Sequence, residues 1–447
     1  MTQQTSAERV AQHFHHFSHA RLPVATRDAV KRLLLDYLGV GLSGSQSESG
    51  RIAREFAKTQ GGVEQATLIG GNGRVPAVLA SFANAISAHS IELDDIDVLA
   101  LFHFSPPVFS AALAVGEAVG ANGEALITAL AAGCEMMERV SRAANSSLRN
   151  RGFHTTPTTG VFGATIAAAY LMKLTPDQIV SALGLAGAQA SGLMEMYGPS
   201  MQKRFNPGPA ARNGVTAATM ASLGFTGAAT IFDGERGFLR AFTDKHDVNA
   251  LTEGLDAPFE LLIEFKPYSC ARPIHNAIDC ALTIRKQHKP DLMAIRRIVM
   301  ERHPDWAHYH QNKRPETYHE AQVSLPYSVA VALEEGAALF AQYRDDKLKQ
   351  PGLLHAMDVI EIVANDTLPR GVSCRMTMEM NDGSRYVAQV DDPKGSIGNP
   401  MNNDELRIKF DSLATPVIGA DGARRLADAV AGIESSDVAS LMRLTMR

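Results

Sequence analysis

Cysteine is scarce. Cys134, Cys270, Cys280 and Cys374 are the only four in 447 residues, and no two form a CxxC pair. A zinc ribbon or a cysteine-held iron–sulfur cluster therefore has no ligand set. Positive charge is not in excess either, with 43 Lys+Arg against 48 Asp+Glu and a net charge of −5. Proteins that bind nucleic acid carry a clustered basic surplus, so nucleic acid is excluded as the main partner. The most apolar stretch, Val161–Met172, falls short of the roughly 18 residues a membrane span needs, and no membrane partner is expected. The opening MTQQTSAERVAQHFHH is polar and histidine-rich, without the apolar centre of a secretory signal, so a cytoplasmic location is the expectation. Gly70–Gly73 lacks the GxGxxG and GxxxxGK[ST] patterns, and GxSxG, HExxH and EF-hand spacings are missing, which removes the usual arguments for a nucleotide fold there, an α/β-hydrolase or a common metal site. What remains is an ordinary folded composition, 45% hydrophobic, long enough for two or three domains at roughly 100–200 residues each.

The first 240 or so residues read as successive helices. Val30, Leu33, Leu34, Tyr37 and Leu38 recur at helical spacing, and Gly39–Gly41 is the expected stop. Pro76 precedes a second helix with Val78, Leu79, Phe82, Ile86 and His89 on one face. Pro106–Pro107 open a third that runs to Val119, and Glu124–Ala144 forms a fourth. Thr175-Pro176-Asp177-Gln178 is a capping box. Runs such as Gly163-Ala164-Thr165-Ile166-Ala167-Ala168-Ala169 predict close helix packing. Beyond residue 265 the texture changes. Ile295–Arg302 reads as a strand, and Cys374, Met376, Met378 and Met380 alternate up to Asp382-Gly383, after which Tyr386, Ala388 and Val390 alternate again. That pattern predicts a hairpin. Helix returns after Asn402. The fold class expected is mainly α: a large all-helical domain formed by both chain ends (1–266 and 403–447) with an inserted α+β lid domain (267–402). A ligand cleft belongs between them.

Four polar groups stand out. Glu92, Asp94 and Asp95 crowd three carboxylates into four residues beside His89 and His103, which favours a raised carboxyl pKa useful to an acid or base. Helix capping or solvent exposure explains the same residues equally well, and a metal held by Asp94, Asp95 and His103 has no recognised spacing behind it. His154 lies before a helix start that suits an anion, or is a structural histidine. Lys203-Arg204 before another helix forms either a carboxylate receptor or a solvated pair. In the segment from Lys266 to His275, Arg272 and His275 either grip a carboxylate or link domains. The histidine-rich run from His303 to His310 reads as a surface loop.

These groups, in this order, resemble the MmgE/PrpD family. The landmarks are AHSIELDD (88–95) with His103, GFHTTPTTGVFGA (152–164), QKRFNPGPAARNG (202–214), KPYSCARPIH (266–275), QVSLPYSVAVAL (322–333) and GNPMNNDELRIKF (398–410). The resemblance implies a helical body with a smaller α+β lid, a homodimer, no metal or organic cofactor, and a small di- or tricarboxylate substrate. It implies catalytic roles for Glu92, Asp94, Asp95, His103, His154 and Tyr327, and substrate binding by Lys203 and Lys266, with Arg272 and His275 as further candidates. Two departures stand against it: Glu92 where the family often has Asp, and Ala271 where a decarboxylase has a histidine. The activity expected is that of a hydro-lyase resembling 2-methylcitrate dehydratase. Decarboxylation, epimerisation and a non-catalytic metabolite-binding role are the alternatives.

Overall fold

The computed structural model describes residues 4–98, 101–196, 200–369 and 373–447. Helix accounts for 57% of the chain and sheet is minor, so the fold is mainly α. The helices that position the site are α1 (Val24–Ser45), α2 (Ala77–His89), α3 (Ser105–Val119), α4 (Gly123–Ala144), α5 (Thr155–Leu171) and α6 (Pro207–Ser222). α5 packs against α3, α4 and α6. It is buried almost all round, from Thr155 to Ala169, which explains why its sequence shows no polar face. A Cβ on Gly163 would stand 2.6 Å from the carbonyl oxygen of Gly133 in α4, so the small side chains are what let these two helices touch backbone to backbone.

α1 departs from expectation. It does not stop at Gly39–Gly41 but continues to Ser45. The glycines serve packing instead of termination. A Cβ on Gly39 would sit 3.0 Å from the Phe410 ring, and one on Gly44 would lie 1.9 Å from the carbonyl oxygen of Ser87 in α2.

The remaining elements are α7 (His275–His288), β1 (Ile295–Arg302), α8 (Leu325–Glu335), β2 (Ile360–Ala364), β3 (Cys374–Met380), β4 (Arg385–Val390) and α9 (Asn403–Ala431). They include one four-stranded sheet in the order β2-β1-β3-β4. The hairpin forms as the alternation predicts, with Met378 opposite Tyr386, and β3 pairs antiparallel with β1, Met300 opposite Met376. β2 was not foreseen; it runs parallel to β1, with Ile298 beside Ile360. α9 begins with a capping box in which Asn402 and Glu405 exchange bonds with each other's backbone. It packs along α1.

Apolar side chains gather into two large clusters. One draws on Ala7 through Phe265 together with Met401 through Met442, and the other on Cys270 through Ala388. Lys266, whose neighbour Pro267 leads into the second cluster, stands where they meet.

Candidate active site

The loop leaving α2 turns at Glu92, whose φ of 57° is rare for a residue with a side chain. Two antiparallel hydrogen bonds between Ile96 and Glu264 (3.0 and 3.1 Å) bring Lys266 back beside this loop. His103 stands just before α3, and His154 caps α5. Lys203 and Arg204 lie on the helical turn Gln202–Phe205 ahead of α6. Helix ends separated widely in sequence therefore converge on one buried point.

Glu92 occupies its centre. One carboxylate oxygen accepts from both Lys203 and Arg204, and the other lies 3.3 Å from Nζ of Lys266. Burial alone would raise this carboxyl, but Lys203, Arg204 and Lys266 together hold it well below the ordinary carboxylate range. Burial pulls Lys203 down to about 8 against the attraction of Glu92, because Arg204 and Lys266 add repulsion. Lys266 is also buried, yet Glu92 and Asp94 outweigh that cost and raise it. Arg204 passes a further hydrogen bond, 3.0 Å long, to Oε1 of Gln322. Gln322 in turn donates to the carbonyl of Ile91 at 3.1 Å, tying the second cluster to the Glu92 turn.

Asp94 links the cations to the histidines. Its Oδ1 lies 3.8 Å from Lys266, and its Oδ2 faces Nδ1 of both His89 (2.7 Å) and His103 (3.0 Å). Burial favours its neutral form, but His103, His89 and Lys266 hold it well below the usual range. Nδ1 of His103 also lies 2.5 Å from the carbonyl oxygen of Asp95. Both neighbours are acceptors, so Nδ1 carries a hydrogen, and the tautomer with its lone pair on Nε2 is the one they favour. His154 has the opposite arrangement. The side-chain nitrogen of Asn206 sits 3.0 Å from its Nδ1 and 3.1 Å from the sulfur of Met196. A thioether only accepts, so the amide presents its NH2 group, and Nδ1 of His154 receives a hydrogen bond. Its proton is on Nε2. Burial, with His89 and His103 nearby, keeps this ring neutral, its pKa well below the usual histidine value.

Other expected residues lie elsewhere. Asp95 accepts from the backbone of Phe104 (2.8 Å) and Ser105 (3.1 Å) and so fastens the start of α3. Burial and the charge of Asp94 raise its pKa. Arg272 forks onto Glu264 at 2.6 and 2.7 Å, and His275 contacts the carbonyl of Cys270 at 3.3 Å. Arg272 thereby makes a link of the kind named as its alternative, whereas His275 bonds within its own segment. The Tyr327 hydroxyl donates to the carbonyl of Gln342 at 2.7 Å, within the second cluster. His310 is not a simple surface residue, since its Nδ1 meets the carbonyl of Val323 at 3.0 Å.

Asn206, Gln322 and Lys409 were not singled out from the sequence. Lys409 of α9 donates to the carbonyl of Leu93 at 2.7 Å and pairs with Asp36 at 2.6 Å, steadying the acidic loop from behind. Asn206 and Gln322 do lie inside the landmark segments, but amides carry no charge signal. For a cation, His89, Asp94 and His103 offer ligand atoms within 4.8 Å of one another, whereas Asp95 spends its carboxylate on α3.

A buried carboxylate held by three cations lies beside two histidines of opposite tautomer, an arrangement that can accept and donate hydrogen at one buried point. The chain matches the MmgE/PrpD N-terminal domain over residues 8–251 and the MmgE/PrpD C-terminal domain over residues 268–435. It belongs to the MmgE/PrpD family. Among curated relatives, a cis-aconitate decarboxylase-like protein of Aspergillus oryzae is 30% identical, with 95% of this chain and 93% of that protein covered. The cis-aconitate decarboxylase of Homo sapiens is 26% identical over 93% of this chain and 89% of its own. That of Aspergillus terreus is 26% identical over 84% and 83%. Among the described residues no helix is long and apolar enough to cross a membrane.

Proposed function

We propose that this chain is a hydro-lyase acting on a small hydroxy acid with more than one carboxylate, removing a proton beside a carboxylate and then water. The observation that carries this reading is the opposite tautomers of His103 and His154. Elimination of water needs a group that accepts a proton and a donor that steadies the departing hydroxyl. His103 suits the base, because Asp94 and the Asp95 carbonyl hold its Nδ1 hydrogen and leave Nε2 ready to accept. His154 suits a hydrogen-bond donor to the departing hydroxyl, because Asn206 leaves the hydrogen on Nε2, and the proton taken up by His103 completes the water.

As the proton leaves, negative charge spreads onto the substrate carboxylate. Lys203, Arg204 and Lys266 are placed to stabilise it, and burial strengthens that effect by excluding water. Glu92 is held ionised by the same three cations and is no proton donor. Segment 267–402 serves as the lid, with Gln322 carrying its contact to Arg204.

Decarboxylation is the second reading, favoured by the names of the relatives. There the carbon that CO2 leaves must gain a proton. Incubation with 2-methylcitrate, citrate, malate, cis-aconitate and iminodisuccinate decides between them. An unsaturated product from a hydroxy acid supports dehydration, and its absence from all three hydroxy acids rejects it. Release of CO2 supports decarboxylation. Exchange of a substrate hydrogen with D2O, without loss of water or CO2, indicates epimerisation.

A further inference from the structure

We infer that His319, carried by the segment proposed as the lid, donates a hydrogen bond to a carboxylate of the bound acid, so that the substrate is held from both sides of the site. The inference rests on the reading above, that an organic acid binds beside Glu92 and its cations.

An unmet hydrogen-bonding need carries it. His319 is 8% exposed, and neither of its ring nitrogens has a partner. Among the described residues it is the one buried histidine of which that is true. Buried polar groups are almost always bonded, because an unpaired one costs stability. Such a cost is tolerated most readily where a ligand supplies the missing partner.

Position names that partner. His319 sits on the helical turn Tyr318–Ala321, three residues before Gln322. Residues three apart share one face of such a turn. Gln322 uses its side chain to accept from Arg204 at 3.0 Å and to donate to the carbonyl of Ile91 at 3.1 Å. Arg204 and Glu92 are accordingly the charges that act most on the His319 ring, ahead of Asp345. The ring therefore borders the point where the cations meet Glu92.

The turn is also firmly fixed. The backbone of Tyr318 donates to Asp345 at 2.7 Å, and Thr317 accepts from the backbone of Glu320 at 3.3 Å. The Tyr318 ring lies against that of His319, with centroids 3.9 Å apart. His319 is thus in place before a ligand arrives, and binding needs little further ordering. Burial, with Arg204 close by, keeps the ring neutral at pH 7. A neutral imidazole has one hydrogen to donate, and a carboxylate oxygen accepts it. An acid with several carboxylates can then be held at the cations by one and at His319 by another.

The test uses equilibrium binding, which needs no turnover. Isothermal titration of the intact protein at pH 7 with tricarballylate and citrate gives the affinities. His319→Phe keeps a ring but has no donor, and is expected to bind about tenfold or more weakly than the native protein. His319→Gln restores a donor and is expected to stay within about threefold of native affinity. Urea denaturation shows that each variant is folded. Equal affinity in native protein and folded His319→Phe overturns the inference alone. So does equal weakening in His319→Gln, since the ring would then only fill space. Should His319→Phe not fold, the native ring decides: addition of tricarballylate is expected to move the 15N resonances of His319, and unmoved resonances at saturation overturn the inference. Failure of the native protein to bind either acid overturns it together with the reading on which it rests.

Discussion

The side-chain amide of Asn206 donates to Nδ1 of His154 at 3.0 Å, and that one bond decides which nitrogen of the ring carries the proton. Replacing the amide by a carboxylate of the same shape reverses the decision. In Asn206→Asp the new group accepts from Nδ1–H, so Nε2 becomes a lone pair and loses the hydrogen it is proposed to donate. We expect turnover to fall by about a hundredfold or more while His154 itself is intact. The carboxylate also raises the ring's pKa, so turnover is compared above the shifted value, where the ring is neutral, and NMR titration of the His154 imidazole locates that value. Native turnover in a folded Asn206→Asp would reject the donor role.

Asp94 orients the other ring. Its Oδ2 faces Nδ1 of His103 at 3.0 Å and of His89 at 2.7 Å. Asp94→Asn keeps the volume but offers one acceptor and two donor hydrogens, which disfavours the tautomer that leaves Nε2 of His103 able to accept. A loss of about a hundred- to ten-thousand-fold in kcat is expected, with little change in the binding of an unreactive dicarboxylate. A variant that loses binding and kcat together would instead point to collapse of the acidic loop.

A third expectation concerns the helix whose end was misread. Gly44 in α1 faces the carbonyl oxygen of Ser87 in α2, where an added Cβ would lie at 1.9 Å. Backbone cannot yield as a side chain can. Gly44→Ala should cost about 1–3 kcal/mol in chemical denaturation, although alanine is the better helix former. A stabilised variant would show that α1 and α2 are not held at this distance.

That misreading marks the limit of what local patterns carry. The hairpin at 374–390 was legible because alternation and an Asp-Gly turn are local signals, and the helix at 403 because its capping box lies within four residues. Glycines at 39 and 41 look like a stop until the neighbour at Phe410 is known. β2 is short and half exposed, and its parallel partner lies some sixty residues back, so nothing nearby announces it. At the site, charged residues drew attention by type. What sequence did not reveal was pairing: that Arg272 belongs to Glu264, that Asp95 is spent on the start of α3, and that neutral Asn206 and Gln322 set the state of groups beside them.

The last prediction follows from His319. This residue is buried, and neither ring nitrogen has a hydrogen-bond partner among the described residues. Burial, with Arg204 close by, lowers its pKa from 6.5 to about 4. The sign follows directly. Above pH 6.5 the ring is neutral whether the chain is folded or not, and its full contribution to stability is present. Between pH 6.5 and about 4 the unfolded chain takes up the proton first, so stability is lost as the pH falls through this window. Asp36, raised to about 6 by burial, works in the opposite direction, so the total slope is a balance. A difference measurement isolates the histidine. His319→Phe keeps a ring of similar size and removes the titration. Urea denaturation from pH 8 to pH 4.5 should give the variant a shallower loss, by close to one proton per molecule at the acid end. At pH 8 its stability should equal or exceed that of the native protein, because two buried nitrogens without partners are gone. Parallel pH profiles for the two proteins would show that His319 takes up its proton in the folded state as readily as in the unfolded chain, and is not sealed beside Arg204.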